Sequence, residues 1–234
     1  MKIRNATALV TGANRGLGRA LALELVKRGA RKVYAGVRRL DVELPAGVTP
    51  ILLDVTDSGQ VTAAAVAAPD VDLLVNNAGR HRTIGFLEPD TMSAAHAMFE
   101  TNFYGPVRMS QAFAPVLARN GGGAIVNVLS VATWLPSTFP VYAASKSAAW
   151  AFTNALRTHL RKQGTQVLGL HVGFMDTDMA RSVDRPKSDP AEIARVTLDA
   201  LEAGAEEVLA DEVSRLVKQS LSAEQAIYLK DPQS

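Results

Sequence analysis

Six short apolar runs recur along the chain, "TALVTG", "KVYAGVR", "TPILLDV", "VDLLVNNAG", "GAIVNVLS" and "TQVLGLHVG", and most of the segments between them have helical composition. The runs are continuously apolar instead of alternating, so each predicts a strand buried on both faces. Strand and helix in alternation predict an α/β fold: a doubly wound parallel sheet, flanked by helices on both faces and linked by right-handed crossovers. The polar and glycine-rich words "TGANRGLG", "LDVTD", "NNAG", "LSVAT" and "VGFMDTDM" each follow a predicted strand. They therefore fall at the carboxyl edge, where such sheets bind ligands. "AAAVAAP" (63–69) reads as a short helix. A short seventh strand is expected at "EVLAD", and "EVSRLVKQSLSAEQAIYL" after it reads as a helix. No repeat or boundary interrupts the pattern, and residues 1–234 are read as a single domain.

Composition narrows the classes. A chain of 234 residues with 47% hydrophobic and 21% charged positions can bury one sizeable core. The net charge is only +2, and the basic pairs Arg38-Arg39 and Arg161-Lys162 are scattered, so no nucleic-acid partner is expected. The chain has no cysteine, which excludes disulfides and thiolate metal ligation and suits a reducing, cytoplasmic setting; no metal site is expected. The N-terminus passes from charge into a strand without a long apolar leader, and no stretch of about 18 apolar residues suggests a membrane span.

Candidate chemistry begins at the first strand-to-helix turn. In "TALVTGANRGLGRALALELVKRGA" a strand runs into Gly12, Gly16 and Gly18 and then into a helix. Glycines there permit positive φ, let backbone approach a pyrophosphate, and allow close helix–strand packing, as in a Rossmann-like dinucleotide-binding domain. The second strand ends in Arg38, where an acid would accept hydrogen bonds from a ribose 2′-OH and repel a 2′-phosphate. Arg38, or Arg39 beside it, suits a phosphate instead.

The ordered set T-G-x-x-x-G-x-G, N-N-A-G (Asn76 to Gly79), an upstream serine and Tyr142-x-x-x-Lys146 resembles the short-chain dehydrogenase/reductase family over roughly residues 5 to 180. The resemblance implies that Gly12, Asn14, Arg15, Gly16, Leu17 and Gly18 cradle the cofactor, with Arg15 and Arg38 favouring NADP(H) over NAD(H). It implies that Asp54 and Val55 meet the adenine, that Asn76, Ala78 and Gly79 line the adenosine ribose, and that Gly173 and Thr177 hold the nicotinamide carboxamide, with Val172 in place of a proline. Tyr142 would be the acid/base, and Lys146 would lower its pKa and hold the nicotinamide ribose. Ser130 would bond the substrate oxygen; it lies 12 positions before Tyr142, one fewer than is usual, and Ser137 is a rival. Asn102 would kink a long helix and bind a proton-relay water.

Other features are specific to this chain. The substrate lid is cut to roughly "ARSVDRPKSDP", and the usual glycine-rich C-terminal turn is missing, which favours a homodimer through the Ala-rich segments 94–118 and 145–160 over the tetramer also possible. His171 reads as a strand-end packing residue, and Trp134 and Phe139 as candidates for the pocket wall. Arg80, His81 and Arg82 form either a solvated loop or a contact for an acidic substrate or partner. The expected activity is NADP(H)-dependent interconversion of a small carbonyl compound and its alcohol, acting as a reductase. The alternatives are a catalytically silent NADP(H)-sensing protein on the same fold and a sugar epimerase or dehydratase of the extended family.

Overall fold

The structure, a computed structural model, describes residues 1–135 and 139–230. Seven parallel strands follow in the order β3-β2-β1-β4-β5-β6-β7: β1 Thr7–Thr11, β2 Lys32–Val37, β3 Val48–Leu52, β4 Leu73–Asn76, β5 Ala124–Val128, β6 Gln166–His171 and β7 Glu207–Leu209. The chain winds outward from β1 in one direction and restarts at β4 in the other, so the β1/β4 junction is a switch point where the connections diverge.

Strand alternation divides the core in two. Ala8, Val10, Val33, Val75, Val126 and Leu168 face α1 (Gly16–Lys27) and α6 (Pro190–Glu202). Leu9, Leu74, Ile125 and Val167 face the opposite layer, where α2 (Ser58–Ala67), α4 (Gly105–Arg119) and α5 (Pro140–Leu160) lie. At roughly 25 cal/mol per Å² of apolar area removed from water, these two faces supply most of the drive to fold.

One buried polar chain runs through the second layer. The parallel register sets Asn76 opposite Asn127. Asn76 Nδ2 donates to Asn127 Oδ1 (2.8 Å), and Asn127 Nδ2 donates to Thr153 Oγ1 on α5 (2.9 Å). All three residues are buried.

The break expected at Asn102 takes the form of a π-helical turn: α3 (Thr91–Phe99) and α4 are joined by Glu100–Tyr104, in which Gly105 N–H reaches back to Glu100 O. One element near the C-terminus differs from the sequence reading. The C-terminal helix α7 (Glu212–Ser220) does not run to residue 229; a single 3-10 turn, Ile227–Leu229, follows. Ser220 explains the stop, since its Oγ donates to Val217 O (2.9 Å) and accepts from Ile227 N (3.2 Å), and the chain folds back to bury Ala226.

The amide chain generates a stability prediction. Replacing Asn127 with Leu keeps the branched shape but strips Asn76 Nδ2 of its acceptor, and should lower the unfolding free energy by about 2 kcal/mol. Urea denaturation reads this directly, and an unchanged midpoint at unchanged slope would show that the chain of amides does not hold α5 to the sheet.

Candidate active site

The glycine loop closes around its own turn before it offers anything to a ligand. Gly12 (φ +66°) and Gly16 (φ +52°) lie in the left-handed region, and a Cβ on Gly18 would stand 2.3 Å from Gly12 O and 2.4 Å from Asn77 Nδ2. Only glycine lets α1 start this close to β1. The N-terminus of α1 has no side-chain cap and no acid in its first turn, leaving its N–H groups and positive dipole end to an anion. Leu17 is buried in the core beneath, so it supports the cradle from below.

Thr11 and Asn77 lock this loop to the next, and neither was singled out from the sequence although both stand inside the quoted motifs. Thr11 Oγ1 accepts from Asn77 N and Ala78 N (both 2.9 Å), and Asn77 Nδ2 donates to Thr11 O (2.8 Å). The second asparagine of N-N-A-G therefore joins the two turns, while Asn76, expected on the ribose, keeps its side chain in the sheet at 4% exposure.

At the carboxyl end of β2, Asn14, Arg15, Arg38 and Arg39 line a cavity of about 520 Å³ with Val37 and Val42. Arg15 pairs with Asp178 (3.4 Å) and Arg39 with Asp41 (2.6 Å); among the described residues Arg38 makes no ion pair. Three guanidinium groups in one concavity, above an uncapped helix end, fit a phosphorylated dinucleotide.

Asp54 closes its own turn, accepting from Thr56 N (2.9 Å) and Thr56 Oγ1 (2.8 Å), and Val55 packs in the core where a Cβ on Gly105 would come within 2.8 Å of it. Gly79 lies next to Asn102, and Thr177 packs its methyl against Gly16. Gly173 N donates to Asp211, which also accepts from Ser214 N at the start of α7.

The proposed chemical group assembles across three elements. Ser130 follows β5, with its hydroxyl accepting from Ala132 N (3.1 Å), and Ser147 Oγ ties that turn to α5 through Thr133 O (2.7 Å). Tyr142 and Lys146 lie one turn apart at the start of α5, where Pro140 sets the entry. Lys146 is 5% exposed and donates to Val128 O (2.8 Å). Ser137, the rival to Ser130, lies outside the described residues.

Burial governs both titrating groups. It pushes the Tyr142 phenol up to about 12, against a hydrogen bond to Ser130 that favours the phenolate, and it pushes the Lys146 ammonium down to about 8. The ammonium is directed at Val128 O, 5.8 Å from the phenol ring centre, and the Tyr142 shift follows from burial and the Ser130 hydrogen bond without a contribution from Lys146.

Asn102 sits in the π-helical turn, and its side chain bonds to two neighbouring segments. Its Oδ1 accepts from Arg80 N (2.8 Å), and its Nδ2 donates to Arg80 O (2.9 Å) and Ser145 Oγ (2.9 Å). Every polar side-chain atom is engaged by protein. Trp134 leaves the pocket wall: it is buried and stacks on His171 (3.9 Å, 18°). Phe139 stays beside the mouth, next to His81 and Phe174.

A dinucleotide cradle that opens beside a phenol attended by a serine and a lysine is equipment for hydride transfer coupled to proton transfer, the work of nicotinamide-dependent oxidoreductases. The profile of the short chain dehydrogenase family matches residues 6–188, and the chain belongs to that family. It is 36% identical over 201 residues to a short-chain dehydrogenase of Penicillium ochrochloron, covering 80% of this chain and 72% of that one. It is 34% identical over 206 residues to D-erythrulose reductase of Gallus gallus, covering 85% and 83%. The crystal structure of a short chain dehydrogenase from Burkholderia cenocepacia in complex with NADP superposes with a TM-score of 0.92 at 40% identity, covering 99% of this chain and all of that one. The protein is thus a dehydrogenase/reductase acting on CH–OH groups with a nicotinamide cofactor. Among the described residues no helix is long and apolar enough to cross a membrane, and no group of three or more His, Cys, Asp or Glu side chains could hold a metal ion.

Lys146 yields a prediction with a defined sign. A lysine whose folded pKa is depressed to about 8 binds fewer protons than its unfolded form between about pH 8 and 10.5. Its burial therefore costs stability below about pH 8, and the cost is relieved as pH rises through that window. Lys146→Met should be more stable than the parent at pH 7, by on the order of 1–3 kcal/mol, with the advantage shrinking toward pH 10.5. A variant less stable at pH 7 in denaturant titrations would contradict this.

Proposed function

We propose that the protein is an NADP(H)-preferring reductase that interconverts a small ketone or aldehyde and the corresponding alcohol, with Tyr142 as the acid/base. The observation that carries this reading is the geometry: Tyr142 and the buried Lys146 lie one helical turn apart on α5, with Ser130 after β5 as the partner of the phenol, at the same carboxyl edge as the glycine turn and the uncapped start of α1.

When bound, the nicotinamide supplies or accepts the hydride and, in its oxidised form, a positive charge that favours the phenolate. Gly12, Asn14, Arg15, Gly16 and Gly18 hold the pyrophosphate side, Asp54, Val55, Ala78 and Gly79 the adenosine side, and Gly173 and Thr177 the carboxamide side. Ser130 and Tyr142 share the substrate oxygen, so Ser130 orients the carbonyl while Tyr142 gives up its proton. Lys146 holds the ribose from beneath and restores the proton. Asn102 acts as a positioning residue, pinning Arg80 to the helix that carries Tyr142. Arg15 and Arg38 read the 2′-phosphate, a preference supported by the cavity they line and by the NADP-bound neighbour. The exposed face of the π-turn and α4, with Tyr104 outward, suits a homodimer, which light scattering of the purified protein would test.

The test is consumption of NADPH and, separately, NADH with a panel of ketones, aldehydes and keto esters. Tyr142→Phe should lower kcat by about 10²- to 10⁴-fold. Arg38→Ala should cut kcat/KM for NADPH by roughly 10- to 100-fold and leave NADH nearly unchanged, as loss of a charge-assisted phosphate contact. A parent enzyme that prefers NADH would overturn the cofactor reading, and NADPH binding without turnover on any carbonyl would favour the sensing alternative.

A further inference from the structure

The three residues after Gly79 take separate places. Arg82 pairs with Asp90 at the surface (3.2 Å) and Arg80 is exposed. His81 instead packs its imidazole onto the proposed acid/base. Its ring stands edge-on to Tyr142 at 5.1 Å (87°) and to Phe139 at 4.7 Å (89°), and Phe139 in turn meets Phe174 at 6.3 Å. The two Asn102 hydrogen bonds to the Arg80 backbone fix the segment that carries it.

Within this packing His81 Nε2 is buried and has no hydrogen-bond partner among the described residues. Burial also holds the imidazole below its ordinary pKa, so at neutral pH it is uncharged, with one nitrogen donating and the other accepting. A buried polar atom without a partner is costly, and such orphans in a native structure call for a specific cause. Here the orphan belongs to a ring that touches the tyrosine where the substrate reacts. The reacting oxygen is taken by Ser130 and Tyr142, so a ring packed beside the phenol is placed for the neighbouring substituent. An anionic substituent would gain little, because the imidazole is neutral and Arg82 is already paired.

We propose that His81 is a specificity-determining residue whose ring nitrogen hydrogen-bonds an oxygen on the carbon next to the reacting carbonyl, so that the enzyme favours α-hydroxy ketones over the matching plain ketones. This rests on the carbonyl-reductase reading of the same site. A site built to bond a hydroxyl discriminates strongly against an analogue that lacks it.

The test compares α-hydroxyacetophenone with acetophenone as substrates of the NADPH-loaded enzyme. The parent should favour the hydroxy ketone in kcat/KM. His81→Phe, which keeps the edge-on ring contacts without either nitrogen, should lower the ratio of the two kcat/KM values by about tenfold, mainly through KM, and His81→Asn should recover part of it. An unaltered ratio in His81→Phe, or an equal loss on both ketones, would overturn the assignment. A second readout needs no turnover: in Tyr142→Phe protein loaded with NADP+, the His81 nitrogen resonances should shift on adding the hydroxy ketone and not on adding acetophenone. Absence of that difference also overturns it. A parent enzyme idle on both ketones would count against the reductase reading, and the resonances would then decide His81 on their own.

Discussion

A polar group inside a parallel sheet calls for a partner, and at Asn76 and Asn127 the fold supplies one for each amide nitrogen in a way that fixes the site, while Asn76 Oδ1 has no partner among the described residues. The register sets the two amides side by side, Asn127 passes the bond to Thr153, and Thr153 returns its hydroxyl to Ala149 O (2.7 Å) within α5. The helix that presents Tyr142 and Lys146 is thus held to two strands by directional bonds as well as by apolar packing. Leucine packing alone would tolerate small slides of α5, which is unsuitable where proton transfer needs a donor within hydrogen-bond reach. Asn102 repeats the device one layer out, bonding Ser145 on the same helix, and Ser145 Oγ donates to Tyr142 O (2.7 Å).

The same burial that stabilises the fold sets the chemistry. Lys146 is buried and Tyr142 partly buried under the loop after β5, where one carbonyl and one hydroxyl face them in place of much of the water. Each group is pushed toward its neutral form, Tyr142 up and Lys146 down. An amine near 8 can exchange a proton close to neutral pH, so desolvation alone tunes Lys146; it carries the phenol's pKa away from neutral pH, and only the hydrogen bond to Ser130 works in the other direction. The site holds this arrangement against the fold's own preference for unburied charge, as functional sites commonly do.

The five central strands were legible because burial on both faces leaves continuous apolar runs, whereas the edge strand β3, also expected to be buried on both faces, is partly exposed, and the cradle was legible because only glycine tolerates the geometry at Gly12, Gly16 and Gly18. The Tyr142 and Lys146 pair was legible as a helical spacing. What escaped were choices between neighbours with the same composition. Which asparagine of N-N-A-G enters the sheet depends on strand phase, and a strand of four residues gives too little alternation to set it. Trp134 reads equally well as pocket wall or packing until β6 places His171 beneath it. The end of α7 at Ser220 turned on one serine side chain competing for backbone groups, which periodicity does not register.

The C-terminal edge shows how a short chain can still brace its active-site loops. β7 has only three residues, yet Glu207 on it meets His171 Nε2 at 3.5 Å and Lys218 of α7 at 2.9 Å, and these two partners hold its carboxyl down to about 2. Lys218 also lies over the Trp134 ring at 4.7 Å, while the other nitrogen of His171 faces Ser130 O at 3.3 Å. A path of packed and charged contacts therefore runs from α7 through β7 and His171 to the main chain of Ser130. Asp211 makes a second path, bonding Gly173 N from the cap of α7. Both loops that would face the nicotinamide are thus buttressed by the last helix. That bracing is supplied by ion pairs and aromatic stacking.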